Sequence, residues 1–225
     1  MKKVIVLSGA GISAESGLKT FRDNDGLWEN HKIEDVATPD GWKKNRKLVL
    51  DFYNERRKQV RKAKPNDAHH ALVKLEKKFD VTIVTQNIDD LHERAGSKNV
   101  LHLHGEILKS RSTLNPSIIY EIKGDELMEG EICVLGSQLR PHIVWFGEMV
   151  PALDDAAHLV SQADVFIVVG TSLAVYPAAG LINYAPSTSE KYYVDPAGVS
   201  LQDFTLIREN AGSGLAKLVN HLMKD

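Results

Sequence analysis

Short apolar runs rich in β-branched residues recur along the chain and predict buried strands. Because both faces of these runs are apolar, they are typical of strands that are covered on both sides in a parallel sheet. Segments with apolar residues at helical spacing lie between them and predict helices that pack on such a sheet. The predicted strands are 3–8, 81–85, 143–146, 165–169 and, more weakly, 191–194, and the predicted helices are 67–78, 153–163 and 214–223. This alternation predicts an α/β fold with a doubly wound, Rossmann-like parallel sheet.

Two stretches depart from the alternation and predict a smaller second module. Residues 23–66 are rich in charged and aromatic side chains and contain a predicted helix at 47–61, while residues 110–139 show no strong period. We interpret both stretches as insertions, so that the second module is discontinuous in sequence. The predicted division is a main Rossmann-like domain of residues 1–22, 67–109 and 140–225 and a small module of residues 23–66 and 110–139.

Composition and charge narrow the possible functions and locations. The 225 residues include 28 Lys and Arg against 30 Asp and Glu, a balance that argues against general nucleic-acid binding. The basic run 56–62 is interpreted as a solvated helix face rather than a phosphate-binding patch. The apolar runs are too short for a membrane helix or a signal peptide. The single cysteine, Cys133, excludes an intramolecular disulfide. We therefore predict a cytoplasmic protein that binds neither membranes nor nucleic acid.

A glycine-rich turn follows the first predicted strand. Gly9, Ala10 and Gly11 come directly after residues 3–8, and a helix is predicted to begin at Ile12. Glycines let backbone N–H groups approach a diphosphate closely, and a helix N-terminus attracts negative charge. The spacing is not G-x-G-x-x-G, so a simple tight turn explains this segment equally well.

Polar residues also follow the strand predicted at 81–85. Residues 85–92 include two side-chain amides and two aspartates. Because open α/β sheets bind ligands at the carboxyl ends of their strands, we expect these side chains in a binding site. Further along, His102 and His104 alternate with leucines, which places both on one side of an extended segment. A lone histidine is more commonly structural than catalytic.

Taken together, the motifs resemble those of the sirtuins, the NAD-dependent protein lysine deacylases. They occur in the family's order and spacing at residues 9–13, 20–22, 85–89, 104–106, 140–142, 145–148 and 170–172. The resemblance extends from residue 3 to about residue 219. It implies a Rossmann-like NAD-binding domain, NAD as a consumed co-substrate and acyl-lysine proteins as partners. The implied products are nicotinamide, O-acyl-ADP-ribose and free lysine, and we expect a monomer.

The resemblance also assigns site residues. His104 matches the general base, Asn87 and Asp89 complete the catalytic set, and His102 keeps a structural role. A histidine pKa near 6.5 suits proton acceptance at neutral pH. Asp195 stands where the family commonly has an asparagine. The implied NAD contacts are Gly9, Ala10, Gly11, Ser13, Glu15, Phe21, Arg22, Trp28, Gln86, Asn87, Ile88, Asp89, Gly170, Thr171, Ser172, Asp195 and Ala211.

Two further matches describe the implied substrate. Tyr53 and Arg56 share a helix face and match the Tyr-x-x-Arg pair of the bacterial and mitochondrial branch that removes succinyl, malonyl and glutaryl groups. Arginine and a phenol together suit a carboxylate, so succinyl and malonyl groups are favoured and acetyl remains possible. Without the resemblance, Arg56 fits a surface arginine of a basic helix. The strand to which an acyl-lysine peptide would add is Val144, Trp145, Phe146, Gly147 and Glu148.

The chain departs from the family where sirtuins carry two Cys-x-x-Cys pairs for a structural zinc. Residues 111–115 contain no cysteine, and the second pair retains only Cys133. One thiolate cannot hold a tetrahedral Zn²⁺, so we predict that no metal is bound and that apolar packing holds the module. The side chains expected to pack there are Ile118, Ile119, Tyr120, Ile122, Leu127, Ile132, Val134 and Leu135.

Two other functions remain open from the sequence. The first is a protein ADP-ribosyltransferase or an NAD hydrolase with the same NAD site. The predicted peptide-binding segment and the pair of Tyr53 and Arg56 argue against this function. The second is a catalytically inactive NAD-sensing module that binds a partner through its altered ribbon. The combination of His104, Asn87 and Asp89 argues against that loss of catalysis.

Overall fold

The computed structural model describes residues 1–19, 27–28 and 30–224. Its strands are β1 (Lys3–Ser8), β2 (Leu27–Trp28), β3 (His31–Lys32), β4 (Asp80–Thr85), β5 (Val100–His102), β6 (Gly105–Ser112), β7 (Ile119–Glu121), β8 (Leu139–Ile143), β9 (Val165–Val169), β10 (Glu190–Val194) and β11 (Thr205–Ile207). Its helices are α1 (Ile33–Val36), α2 (Pro39–Lys44), α3 (Arg46–Lys62), α4 (Asp67–Leu75), α5 (Leu91–Ala95), α6 (Leu153–Val160) and α7 (Ala211–Leu222), with 3₁₀ helices at Ala10–Ser16 and Ala178–Tyr184. None of these helices has the length and the apolar content that crossing a membrane requires.

Among the described residues, the larger sheet has the strand order β11-β10-β9-β1-β4-β5, and every neighbouring pair is parallel. Side chains of β1 alternate between its two faces. Val4 and Val6 pack with α4 and α7, whereas Ile5 and Leu7 pack with α6 and the second 3₁₀ helix. Because helices cover both faces, the apolar residues of β1 and β9 are buried on both sides of the sheet. The α/β fold with a doubly wound, Rossmann-like parallel sheet is confirmed.

A smaller antiparallel sheet has the order β7-β6-β8 and spans residues 105–143. Helices α1, α2 and α3 contribute to the core that packs with it, in which Trp28, Phe52 and Tyr53 meet edge to face with ring centroids 4.8–6.1 Å apart. Such ring pairs add to the stabilisation from buried area. The assignment of residues to two domains stays a prediction.

The strand predicted at 143–146 in the parallel sheet is wrong. Strand β8 ends at Ile143 and pairs antiparallel with β6, and residues 144–148 form a turn. The apolar character of Ile143 and Trp145 instead reflects their burial in the core of the small sheet. The helix predicted from Ile12 is a 3₁₀ helix. Strands β5 and β11 were not predicted, because three residues are too few for a periodic pattern.

The basic run at 56–62 is not a solvated face at its first two positions. Arg57 is fully buried, and its guanidinium donates to the carbonyls of Ile107 at 2.7 Å and Asp125 at 2.9 Å. Burial is the main cause that lowers the pKa of Arg57 to about 10. Arg56 is only 7% exposed. Helix α3 therefore directs two cations inward, one of which ties it to β6 and the segment after β7.

Candidate active site

The loops after β1 and β9 interlock at the carboxyl edge of the parallel sheet. The Gly9 amide donates to the Val169 carbonyl at 3.0 Å, and the Gly11 amide donates to the Gly170 carbonyl at 2.8 Å. Gly170 has a φ of 62°, and a Cβ atom on it would lie 2.3 Å from the Ile12 nitrogen. These glycines therefore allow two loops to pack closely. Of the two explanations that the sequence left open for Gly9 and Gly11, a tight turn and a diphosphate-binding loop, these hydrogen bonds fit the tight turn.

Ser13, Asn87 and Asp89 form a buried hydrogen-bonded chain. Ser13 lies in the 3₁₀ helix that begins at Ala10, and the other two lie in the loop after β4. The Ser13 hydroxyl donates to Asp89 Oδ2 at 3.1 Å and accepts from Asn87 Nδ2 at 3.1 Å. Burial raises the pKa of Asp89, although hydrogen bonds from the Leu91 amide and Ser13 oppose the shift. The fold thus joins predicted site residues from two separate motifs.

His104 and Gln86 are joined through a main-chain carbonyl. His104 Nδ1 lies 3.0 Å from the Gln86 oxygen. Because a carbonyl can only accept, this contact assigns the ring proton to Nδ1 and leaves the Nε2 lone pair available. Burial lowers the pKa of His104 despite the Gln86 hydrogen bond, so the imidazole is neutral at pH 7. Gln86 Nε2 donates to Thr171 Oγ1 at 3.1 Å and links the loops after β4 and β9.

His102 and Ile88 face other partners. His102 Nδ1 lies 2.9 Å from the Asn87 carbonyl, and its Nε2 lies 2.7 Å from the Glu93 carboxylate. Burial acts to lower the pKa of His102, but the contacts with Glu93 outweigh it and raise the pKa. The Ile88 carbonyl accepts the Ile107 amide at 2.8 Å, and the Ile88 side chain packs on the core of the small sheet.

The predicted NAD contacts after β9 and β10 lie at the same edge of the sheet. Thr171 is buried and its carbonyl accepts the Tyr193 hydroxyl at 2.8 Å, while Ser172 is exposed. Asp195 is 4% exposed, and its Oδ1 accepts the Ala197 amide at 2.9 Å. A buried acceptor therefore stands at the end of β10, where the resemblance places a ribose contact.

Glu15 bonds to the first turn of α7, which begins at Ala211. The Glu15 carboxylate accepts the Gly212 amide at 2.7 Å, one residue after Ala211. An acidic side chain at a helix N-terminus is favoured by the helix dipole and by the unbonded amides of the first turn. Glu15, a predicted NAD contact, thus also connects the first 3₁₀ helix to the last helix. Phe21 and Arg22, from the same predicted cofactor loop, lie outside the described residues.

Residues 144–148, predicted as the peptide-binding strand, form a turn whose amides bond within the protein. The Val144 amide donates to the His104 carbonyl at 2.9 Å, and the Phe146 amide donates to the Ala37 carbonyl at 3.0 Å. Phe146 is 42% exposed, and Gly147 has a φ of 87°. The first contact attaches the turn directly to the residue that carries the predicted base.

A glutamate and two arginines hold this turn. Glu148 Oε2 accepts the Trp145 amide at 2.8 Å, and the Glu148 amide returns to the Trp145 carbonyl at 3.0 Å. Arg140 donates to both carboxylate oxygens of Glu148, at 2.7 and 3.0 Å, and Arg111 donates to one of them at 3.2 Å. Burial alone would raise the pKa of Glu148, but these hydrogen bonds and charges lower it. Bidentate charge-assisted pairs of this kind are among the strongest hydrogen bonds in proteins.

Tyr53 and Arg56 lie on the buried face of α3. Tyr53 is fully buried and its hydroxyl accepts the Trp145 indole N–H at 3.1 Å. Arg56 Nη2 donates to the Lys19 carbonyl at 3.0 Å, and its guanidinium lies 5.2 Å from the ring centroid of Trp28. Burial raises the pKa of Tyr53 well above its usual range, so the phenol stays protonated. The pair predicted for acyl recognition therefore borders the predicted peptide turn and Lys19, which directly precedes the predicted cofactor-loop motif at 20–22.

Known proteins share both the motifs and the fold. Residues 9–177 match the Sir2 family. The chain belongs to this family. It is 53% identical over 227 residues to an NAD-dependent protein deacylase of Helicobacter pylori, and the match covers 100% of this chain and 99% of that protein.

Two solved Sir2 structures resemble this sirtuin over nearly its whole length. A Sir2 homolog–NAD complex has a TM-score of 0.89 and 40% sequence identity, covering 99% of this chain and 90% of that one. A complex of Sir2 with a p53 peptide and NAD⁺ has a TM-score of 0.80 and 31% identity, covering 99% and 94%. The interlocked loops and the small sheet described above therefore belong to a fold that binds both ligands in other sirtuins.

The small sheet of this sirtuin does not offer a zinc site of the usual kind. Cys133 Sγ lies 3.3 Å from the Ser112 hydroxyl and 3.1 Å from the Ser137 hydroxyl, and it accepts the Leu135 amide at 3.3 Å. These hydroxyls lower the pKa of Cys133 to about 7. Across residues 1–19, 27–28 and 30–224, no group of three or more His, Cys, Asp or Glu is placed to hold a metal ion. One thiol and two hydroxyls do not fit tetrahedral Zn²⁺.

Fewer apolar side chains pack in the core of this module than the sequence predicts. Ile122 and Leu127 are buried in the core with Cys133, and Ile118 and Tyr120 pack partly against it. The other four residues expected there are exposed: Ile119, Ile132, Val134 and Leu135. The polar Cys133 cluster, rather than those four side chains, joins the 132–137 loop to the end of β6.

Sequence reasoning missed the roles of Arg111, Arg140 and Glu15. Glu148 stands in a mostly apolar segment of the sequence. Such a glutamate indicates a basic partner, since a buried charge is rarely left unpaired. It does not show which arginine provides the partner, because Arg111 and Glu148 are separated by 37 positions. Only the pairing of β6 with β8 brings Arg111 and Arg140 to the same carboxylate.

Proposed function

We propose that this sirtuin is an NAD-dependent protein lysine deacylase that removes succinyl and malonyl groups in preference to acetyl groups. The observation that carries the proposal is the buried Tyr53 and Arg56 pair, which lies beside the turn at 144–148 and within the same aromatic core.

The carboxyl edge of the parallel sheet suits NAD as co-substrate. The buried chain of Ser13, Asn87 and Asp89 offers polar side chains on one side of the interlocked loops, and Asp195 offers a carboxylate on the other. Carboxylates accept hydrogen bonds from ribose hydroxyls in other NAD sites. When bound, NAD would supply the ADP-ribose acceptor for the acyl group and nicotinamide as the leaving group.

His104 has the protonation state that a general base needs. Its Nδ1–H donates to the Gln86 carbonyl, which fixes the tautomer, and burial lowers its pKa, so Nε2 carries no proton at pH 7. We assign proton acceptance to Nε2, from a ribose hydroxyl that attacks the transferred acyl group. General-base catalysis contributes about 10²–10⁴-fold. The Val144 amide, bonded to the His104 carbonyl, holds the peptide turn at a fixed distance from this base.

Arg56 and Tyr53 supply the chemistry for an acidic acyl chain. A guanidinium and a protonated phenol both donate to a carboxylate, and neither gains a comparable partner from an acetyl group. A charge-assisted hydrogen bond of about 1.5–3 kcal/mol corresponds to a discrimination of roughly 10- to 150-fold. We therefore expect succinyl-lysine to exceed acetyl-lysine in kcat/KM by a factor in this range.

An acyl-chain panel tests the proposal. Succinyl, malonyl and acetyl versions of one lysine peptide are assayed with NAD, and Arg56→Met is expected to reduce the succinyl-to-acetyl ratio of kcat/KM at least 10-fold. Arg61→Met is the matched control, because Arg61 lies on the same helix and donates to the Ile122 carbonyl instead. Loss of all turnover in His104→Tyr confirms that the measured reaction uses this site. Equal rates on succinyl and acetyl peptides would refute the acyl preference.

Product analysis separates deacylation from the other reactions that NAD supports. Mass spectrometry is expected to detect O-acyl-ADP-ribose and free lysine in equal amounts. ADP-ribosylated protein, or free ADP-ribose without deacylated peptide, would favour the ADP-ribosyltransferase or NAD hydrolase instead.

A further inference from the structure

The indole N–H of Trp145 donates to the Tyr53 hydroxyl across the core of the small sheet. The donor and acceptor are 3.1 Å apart, and the side chains are 2% and 0% exposed. The contact joins the turn predicted to bind the peptide with the helix predicted to bind the acyl chain. Two recognition elements that are separate in sequence are thus in direct contact.

The indole is held firmly from several sides. The Trp145 amide donates to Glu148, which two arginines hold in turn. The Arg140 guanidinium carbon lies 3.3 Å from the ring centroid of Trp145, and the Trp42 ring lies 5.7 Å away. Stacking of a guanidinium on an aromatic face is favourable, more so in a buried site. The direction of the indole N–H is therefore set by the small sheet.

A fixed indole donor restricts what the Tyr53 hydroxyl can do. A phenol has one O–H to donate and lone pairs to accept, whereas an indole N–H can only donate. The phenol must accept from Trp145, so its own proton points away from the indole. Burial keeps the phenol protonated, because it raises the pKa of Tyr53 well above its usual range. The hydroxyl is thereby oriented as a donor toward a different partner.

We propose that Trp145 is a specificity-determining residue that acts through Tyr53: its indole N–H orients the phenol so that the O–H donates to the carboxylate of an acidic acyl chain. The inference rests on the proposed acyl preference and deepens it. Trp145 is a positioning residue here, since the group that contacts the acyl chain is the Tyr53 hydroxyl. The peptide turn and the acyl site then act as one recognition unit.

A double-mutant cycle tests this role. Trp145→Phe keeps an aromatic ring and removes the N–H, and we expect it to lower the succinyl-to-acetyl ratio of kcat/KM about 3- to 10-fold, the effect of about 0.7–1.4 kcal/mol. Tyr53→Phe is expected to lower the ratio at least as much. In the double variant, Trp145→Phe should have no further effect on the ratio, because its only route to the acyl chain has been removed.

Trp42→Phe is the matched control, since it removes the N–H of another buried tryptophan of the same core and keeps an aromatic ring against Trp145. It should leave the ratio unchanged. Should Trp145→Phe fail to fold, 3-benzothienylalanine at position 145 replaces only the N–H by sulfur and is expected to give the same loss. Equal changes on both acyl substrates, or a persisting effect of Trp145→Phe in the Tyr53→Phe background, would overturn the inference. The wild-type ratio separately tests the acyl preference itself.

Discussion

His102 and His104 are two residues apart, yet their environments shift their pKa values in opposite directions. The Glu93 carboxylate outweighs burial and raises the pKa of His102, whereas a neutral carbonyl leaves burial dominant and lowers the pKa of His104. The sequence places both residues on one side of an extended segment but cannot identify these partners, because Glu93 lies in the preceding helix α5 and Gln86 contacts the ring through its main chain. Tertiary contacts therefore decide the direction in which each histidine pKa shifts.

Two buried histidines next to the site make stability sensitive to acid. His69 and His92 are fully buried, with ring centroids 4.9 Å apart. Burial lowers the pKa of His69 to about 4. Between pH 6.5 and pH 4 the unfolded chain therefore binds a proton that the native state excludes, and the free energy of unfolding falls as the pH falls. We expect His69 to contribute about 2 kcal/mol to the loss between pH 7.5 and pH 5.

Urea unfolding of His69→Gln measures this contribution. Glutamine does not titrate and can accept the Asn66 amide as His69 does now in the capping box at the start of α4. The variant should lose about 2 kcal/mol less than the wild type over the same pH interval. His158→Gln, at an exposed histidine of α6, is the control and should retain the wild-type slope. Parallel pH dependence of His69→Gln and wild type would contradict the prediction.

Strands and helices with a clear apolar period could be predicted from the sequence, because their burial is uniform along the element. Strand β1 and strand β9 are apolar on both faces and were found on that basis. The turn at 144–148 could not be predicted, because it is formed by Glu148 and by arginines on β6 and β8. Its apolar residues are buried by tertiary contacts that carry no period. The burial of Arg57 could not be predicted for the same reason, because it depends on tertiary contacts with β6 and with the segment after β7.

Alanine substitutions at two glycines with positive φ separate the cost of backbone strain from the cost of steric overlap between packed loops. Gly170 and Gly147 have φ values of 62° and 87°, but a Cβ atom would collide with the first 3₁₀ helix only at Gly170. We expect Gly147→Ala to cost about 1–2 kcal/mol, from the left-handed conformation alone. Gly170→Ala adds steric overlap and should cost about 2–6 kcal/mol.

Chemical unfolding of the two alanine variants, compared with wild type under one set of conditions, gives both values. A smaller loss in Gly170→Ala than in Gly147→Ala would show that the loops after β1 and β9 can separate without cost. In that case, their interlocking could not be what shapes the edge of the sheet.

For the whole molecule, we predict stability without zinc. Cys133 is the only cysteine, and its partners are the hydroxyls of Ser112 and Ser137. Prolonged treatment with a chelator should therefore leave Tm and deacylase activity unchanged, since no metal-coupled folding energy is available to lose. Elemental analysis of the untreated protein is the direct measurement. One equivalent of zinc per chain, or a fall in Tm after chelation, would contradict the prediction.

The position of β1 in the middle of the parallel sheet also matters while the chain is being synthesised. One neighbour, β4, ends at residue 85, but the other, β9, ends only at residue 169. At about 5–20 residues per second, the ribosome delivers β9 roughly 10–30 s after β1. During that interval one hydrogen-bonding edge of a strand with four consecutive apolar residues, 4–7, has no native partner, and such an unpaired edge promotes aggregation. The yield of folded protein in cells should thus depend on chaperone supply more strongly than the stability of the folded state would indicate.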